Sequence, residues 1–178
     1  MFADADDYLP DKEIFCKYIN LAGQTDADIV VSNYARLWKD KILPATKHQS
    51  FALCSPSSEE FRFQGFFSVG TLSYAWGKLY RREFLRNHQI YFADLSYAED
   101  KLFNMQCYIC DAKYAFLEDI GYIYRKNDMS VSWQYRPDSV ENWFKLVYEL
   151  KSWIEKKDKD PKEYTSLIGY LLIFAAFF

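Results

Sequence analysis

Histidine and cysteine are both scarce in this 178-residue sequence, with two His and four Cys. His48 and His88 stand far apart, and the one close cysteine pair, Cys107-x-x-Cys110, has no second pair near it. A structural zinc site needs four ligands, so none is expected, and both cysteines of the pair are assigned to the core. Four scattered thiols are also too few for a disulfide framework. Basic charge is not in excess: 22 Lys and Arg stand against 25 Asp and Glu, a net charge of −3. No positive field of the kind that draws nucleic acid is expected. The last apolar run, LIGYLLIFAAFF at 167–178, has twelve residues, against the ~20 that a bilayer span requires. It reads as a core helix or as a face turned to a membrane or partner. A charged triplet stands where the apolar part of a secretory leader would lie. The expected location is therefore the cytoplasm, with peripheral contact at the inner face of a membrane as the role left to the apolar run.

What the sequence has in quantity is apolar and aromatic surface, 50% and 20% of its residues, enough for one domain with a buried core. Pro10 is placed to open a helix; Ile14, Phe15, Tyr18, Ile19 and Leu21-Ala22 follow at helical spacing, and Gly23 is read as its stop. DIVVSNY at 28–34 is β-branched and reads as a strand. RFQGFF around Gly65 fits a short strand or a packed loop. Leu79, Tyr80, Phe84 and Leu85 suggest one face of a short helix within 75–88. A further helix is expected over 97–111, with Ser96 and Glu99 at capping-box spacing and Leu102, Phe103, Gln106, Ile109 and Cys110 on one side. YAFLE at 114–118 and GYIYR at 121–125 read as two strands, the second with Tyr122 and Tyr124 on one face. Pro137 is placed to open a long helix whose buried stripe is Val140, Trp143, Phe144, Val147, Leu150 and Ile154. KKDKD at 156–160 is a solvated linker, and Asp160-Pro161 with Glu163 starts the last helix. Helix alternating with strand is the mark of an α/β layer.

The chemistry is concentrated at the start, in FADADDYLP at 2–10. If that stretch is extended, Asp4 and Asp6 share one face and Asp7 takes the other. A carboxylate pair at a strand end suits a hard divalent cation such as magnesium. An EF-hand loop is excluded, because Leu9 stands where Gly is needed and Phe15 where Glu is needed. A solvated acidic turn is the plainer alternative.

FADADDYL resembles the acidic motif of family 2 glycosyltransferases, which have the GT-A fold. AWGKLYRREFL at 75–85, YAEDKLFN at 97–104 and YIYRKNDMSVS at 122–132 resemble the same family and occur in its order. The resemblance implies an α/β fold: a truncated GT-A unit with a mixed sheet, flanking helices and C-terminal helices. It implies residues 1–135 as a partial catalytic domain without the nucleotide-binding N-terminal half, and 136–178 as a helical extension of that domain. The implied function is transfer of a sugar from a nucleotide-sugar donor to a saccharide or lipid-linked acceptor, with inversion, in assembly of bacterial cell-surface polysaccharide. The implied cofactor is Mg²⁺ or Mn²⁺, held by Asp4, Asp6 and Asp7. Asp100 is implied as the base that takes the acceptor proton, with Glu99 in support. Trp76, Gly77 and Lys78 are implied beside the sugars, and Arg125 at the diphosphate. The isolated fragment is expected to be inactive.

The residues alone leave plainer readings beside these. Acidic residues at a helix start are favoured by the dipole, Trp76 serves equally as a core aromatic, and Arg125 as a solvated strand-end cation. Two rival functions remain: a non-catalytic remnant that binds carbohydrate or a partner protein, and a nucleotidyltransferase of similar fold. The latter should carry a Gly-rich basic loop near its start, which this chain lacks.

Overall fold

In the computed structural model the described residues are 1–46, 48, 51–126 and 138–177. The 127–132 part of the YIYRKNDMSVS motif, Pro137 and Phe178 lie outside them.

The fold is built on one strand. β1 (Ile29–Trp38) is lined by Ile, Val and aromatic side chains that suit a pleated, buried surface. β4 (Tyr114–Arg125) runs parallel to it along one edge, from Ile29↔Tyr114 to Leu37↔Arg125. The other edge is shared by two short antiparallel strands: β3 (Lys78–Tyr80) against Ile29–Val31, and β2 (Lys41–Pro44) against Ala35–Trp38. The sheet is therefore mixed, as expected. β4 is one strand rather than two, because register shifts at Ser32/Asn33 and Asn33/Tyr34 absorb the interruption at Glu118–Asp119.

Helices cover the sheet. α1 (Ile14–Thr25) buries Ile14 and Tyr18. Its start is fixed by Asp11, whose Oδ1 accepts the N–H groups of Glu13 and Ile14 at 2.8 Å each. It runs through Gly23 and stops at Asp26, which is left-handed at φ 51°. α2 (Glu59–Phe63) passes directly into a wide π turn over Gln64–Ser68, so the RFQGFF stretch is helical, neither strand nor loop. The single helix expected within 75–88 is replaced by β3 and α3 (Arg82–His88). Hydrogen bonding of residues 78–80 to β1 outweighs their local helical pattern.

α4 (Glu99–Ile109) is buried on nearly every side, Leu102, Phe103, Gln106, Cys107, Ile109 and Cys110 included. α5 (Ser139–Lys156) buries Asn142, Trp143, Leu146, Val147, Leu150 and Ile154, whereas Val140 and Phe144 are exposed. The stripe is therefore rotated from the one expected. After a short 3₁₀ turn at Pro161–Tyr164, α6 (Thr165–Phe177) buries Leu167 and Leu171. α4, α5 and α6 meet in one apolar cluster with Phe61, Phe66 and Leu72. No described helix is long and apolar enough to cross a membrane.

Candidate active site

The opening residues run from the segment before β3 to β4. Phe2 bridges to Trp76, and Tyr8 pairs antiparallel with Ile123. Between those anchors the chain is not extended. The N–H of Asp7 donates to the carbonyl of Asp4 at 3.2 Å, closing a turn over Ala5-Asp6. This corrects the alternation expected for the acidic triplet. The turn brings the backbones of Asp4 and Asp7 together; Asp7 is half-buried, and Asp4 and Asp6 are both exposed. β4 holds the turn in place: the Tyr122 hydroxyl accepts the N–H of Asp4 at 3.0 Å, and Asp7 Oδ1 accepts the N–H of Arg125 at 2.7 Å.

Burial and crowding of like charge follow. The Asp4 carboxyl is pushed up from its ordinary range, first by desolvation and then by the charges of Asp7, Asp100, Asp6 and Glu99. Desolvation also raises Asp7, against the pull of the Arg125 N–H and the Tyr122 hydroxyl. Asp7 Oδ2 is closed to solvent and takes no hydrogen bond of good geometry among the described residues. Glu99 and Asp100, 95 and 96 positions along the chain, lie near enough for their charges to act on Asp4. The N-terminus of α4 faces it.

The first turn of α4 is built differently from the capping box expected. The residue before the helix, Ala98, is left-handed at φ 61°, and no side chain caps the end. Ser96 turns instead to α5, donating its hydroxyl to Asn142 Oδ1 at 2.8 Å and Asp138 Oδ2 at 3.1 Å. Glu99 is thus released from the capping role and Asp100 is partly buried. Burial raises the Asp100 carboxyl, and Glu99 adds to that, while Lys101 and Lys78 oppose it. Asn104 secures the turn, donating to the Asp100 carbonyl at 2.7 Å while its Oδ1 accepts the Tyr80 hydroxyl at 2.8 Å.

The two lysines are held in contrasting ways. Lys78 is fully buried, and its ammonium donates to the carbonyls of Gly70, at 3.1 Å, and Tyr74. Burial lowers it to about 7. It ties down the loop that carries Trp76, so its polar contacts are main-chain carbonyls of its own chain. Lys101 lies over the rings of Phe66, Tyr74 and Phe174 at 5.5–5.8 Å, an arrangement that suits an ammonium.

Trp76 stands in a column of rings. Tyr74 stacks on it at 4.5 Å, Tyr122 at 4.8 Å and Tyr124 at 5.6 Å, and Tyr34 meets it edge-on at 4.9 Å. The stacking partners of the indole are therefore this chain's own tyrosines. Gly77 takes φ +66°, a region side chains rarely adopt. Its carbonyl accepts from the buried Tyr18 hydroxyl at 3.1 Å, which also donates to Ser32 Oγ at 2.5 Å. Arg125 is exposed at the end of β4, its guanidinium over the Tyr8 ring at 5.9 Å.

Two carboxylates completed by substrate phosphates are a usual setting for magnesium. Asp4 and Asp7 fit that requirement: they repel each other, and one Asp7 oxygen lacks a good donor. Among the described residues no three His, Cys, Asp or Glu side chains are grouped so as to hold a metal unaided.

No family model matches the chain. Over 154 residues it is 28% identical to an uncharacterized glycosyltransferase, EpsJ, of Bacillus subtilis (strain 168), covering 84% of this chain and 44% of that one. It superposes on the crystal structure of S. aureus TarS 1–349 in complex with UDP-GlcNAc with a TM-score of 0.68 at 19% identity, covering 97% of this chain and 47% of that one. The complex of the same protein with UDP gives a TM-score of 0.63 at 19% identity, covering 97% and 45%. The chain has a GT-A-like glycosyltransferase fold. It spans about half the length of the relatives it matches.

Within this GT-A-like unit, Asp4 lies within reach of the charges of Asp7, Asp100, Asp6 and Glu99, and Phe2 links the start of the chain to Trp76 and to Phe103 of α4. Tyr122 and Lys101 belong to the same site and were not singled out from the sequence. Tyr122 had one legible signal, its alternation with Tyr124. Lys101 had only its place beside Asp100.

Proposed function

We propose that this chain is the acceptor-side half of a metal-assisted glycosyltransferase that moves a sugar, with inversion, from a nucleotide-sugar donor to a saccharide or lipid-linked acceptor. Assembly of cell-surface polysaccharide is the setting this implies. The observation that carries the reading is that the acidic turn, tied to β4 through Tyr122, lies near enough to the start of α4 for the charges of Asp100 and Glu99 to raise Asp4. The TarS structures hold UDP-GlcNAc and UDP, which supports a sugar nucleotide as the donor class.

Asp4 and Asp7 would hold Mg²⁺ or Mn²⁺, which neutralises charge on a leaving diphosphate as a Lewis acid. Asp6, at the tip of the turn, adds its negative charge to Asp4 and Asp7. Arg125 donates to diphosphate oxygens, for which its fork of N–H groups is suited. Asp100 takes the proton of the acceptor hydroxyl. A carboxylate raised by burial and by Glu99 holds a proton better than a solvated one, which favours that role. Lys101 and Lys78 oppose that rise. Trp76, through its ring column, and Lys78, through its carbonyl contacts, hold the Gly77 backbone where a sugar can approach it.

The test is a screen of sugar nucleotides with Mg²⁺ or Mn²⁺ on the chain completed to the length of its relatives. Transfer that needs the metal and Asp100 supports the reading. Absence of transfer with every donor, together with carbohydrate binding, favours a non-catalytic binding protein.

A further inference from the structure

We infer that Tyr80 and Asn104 are positioning residues for the transfer: their side chains form a brace that fixes the start of α4, and with it Asp100, against the loop that carries Trp76 and Gly77. The inference rests on the proposed role of Asp100 as the base and says what holds that base in place.

The brace joins three parts of the chain. The Tyr80 hydroxyl, on β3, donates to Asn104 Oδ1 at 2.8 Å and shares its proton with the Ala75 carbonyl at 3.3 Å. Asn104 Nδ2 donates to the Asp100 carbonyl at 2.7 Å. One hydroxyl thus links the loop before β3 to the first turn of α4. The start of the chain rests on the same place. The Phe2 ring lies 5.5 Å from Tyr80 and 5.6 Å from Phe103, and its backbone bridges to Trp76. Alternation puts Lys78 on the face of β3 that carries Tyr80, and its ammonium donates to the carbonyls of Gly70 and Tyr74. Loop carbonyls at 70, 74 and 75 are therefore all held from β3, and Tyr80 extends that hold to α4.

Packing alone does not call for this arrangement. Asn is a poor helix former, and Asn104 is 1% exposed, a setting that suits Leu. α4 lies between two apolar clusters, with Leu102 and Met105 in one and Phe103 and Cys107 in the other. Apolar contact is non-directional, so it leaves the rotation of the helix weakly set. A slip of one residue would turn α4 by about 100° and shift it by about 1.5 Å, carrying Asp100 away from the acidic turn. No side chain caps the start of the helix. Among the described residues, Tyr80 to Asn104 is the only side-chain hydrogen bond between α4 and the sheet. A buried polar contact is directional, and one such contact can set the register of an apolar interface.

The experiment has two readouts, applied to wild type, Tyr80→Phe, Asn104→Leu and the double variant. The first is amide hydrogen exchange in the 178-residue chain, followed by nuclear magnetic resonance. The amides of Phe103 and Asn104 bond to carbonyls of the first turn of α4. They should exchange about tenfold faster in each variant, with the amides of β1 unchanged. The second is steady-state transfer by the completed chain, with the donor and acceptor that the screen finds active. There kcat should fall about tenfold to a hundredfold, with the KM for the donor unchanged. The double variant should be no worse than the poorer single one, because both changes break one link. Ile154→Val, in the core of α5, is the control: it loosens packing without touching the brace, and its kcat should hold. Where Tyr80→Phe fails to fold, Asn104→Leu carries the test. Wild-type kcat in a folded single variant, additive losses in the double variant, an equal loss in Ile154→Val, or exchange that rises evenly through the chain overturns the inference. Such a failure in an active enzyme leaves the proposed transfer standing. A completed wild-type chain that transfers no sugar removes the proposed activity and with it the positioning role, whereas local exchange still decides whether the brace holds α4.

Discussion

Tyr122 and Asp4 are separated by 118 positions, yet the Tyr122 hydroxyl accepts the Asp4 N–H at 3.0 Å. That bond ties the acidic turn to the strand at the middle of the ring column. Burial, against the pull of the Asp4 N–H and with the Asp7 and Asp4 carboxyls adding to it, holds the phenol well above its ordinary range, so it keeps its proton. Tyr122→Phe should cost about 1 kcal/mol in urea unfolding. It should also weaken Mn²⁺ binding followed by electron paramagnetic resonance. A folded variant with wild-type Mn²⁺ binding would disconnect Tyr122 from the acidic turn.

Asp7 should matter more to the metal than Asp6 does. The turn is closed by the Asp7 N–H to the Asp4 carbonyl, and Asp7 is half-buried and held by the Arg125 N–H, whereas Asp6 is exposed at the tip. Asp7→Asn and Asp4→Asn should each lower metal-supported transfer strongly in the completed chain, and Asp6→Asn should lower it modestly. Equal losses at Asp6 and Asp7 would mean that the turn opens into a strand when the donor binds.

For the base, Asp100→Asn keeps shape and removes the proton acceptor. Turnover should fall by about two to four orders of magnitude with donor affinity unchanged. Glu99→Gln should be milder, since Glu99 acts on Asp100 through charge. It should also leave helix stability nearly intact, because Ser96 bonds to α5 and not to the start of α4. Circular dichroism must accompany both assays. A folded Asp100→Asn protein with near-normal turnover would falsify the assignment.

His48 makes a pH dependence legible. It is buried, with Nδ1 2.7 Å from Asn33 Oδ1, an atom that can only accept. Burial, helped by the Lys78 charge, lowers it to about 4 from an ordinary 6.5. Between those values the unfolded chain carries the proton and the folded chain does not. Stability from this group is therefore complete above about 6.5 and is lost as pH falls toward about 4, by up to ~3 kcal/mol. His48→Gln should be less stable than wild type at pH 7, and the gap should close near pH 4.5. Parallel stability curves for the two proteins would show that His48 does not exclude its proton in the fold.

Local pattern was a good guide wherever an element's own residues decide its form. The β-branched run of β1, the apolar repeats of α4 and α5, and the Asp160-Pro161 start of the last helical segment were all legible, since each depends on neighbours within a few positions. The GT-A-like character was legible too, because short motifs in order survive when strand pairing cannot be read. Reading failed where a distant partner decides. Lys78–Tyr80 has helical spacing but hydrogen-bonds to β1. Ser96 has cap spacing but bonds to Asn142. Pairing the Asp carboxylates as Asp4 and Asp6 assumed an extended chain, and β4 bends that chain into a turn that pairs Asp4 with Asp7. The sequence by itself determined which carboxylates were available at residues 4–7 and 99–100. Only the tertiary structure decided which of them meet. Hydrogen bonds and buried charge act over a few ångströms of space, whatever their separation along the chain.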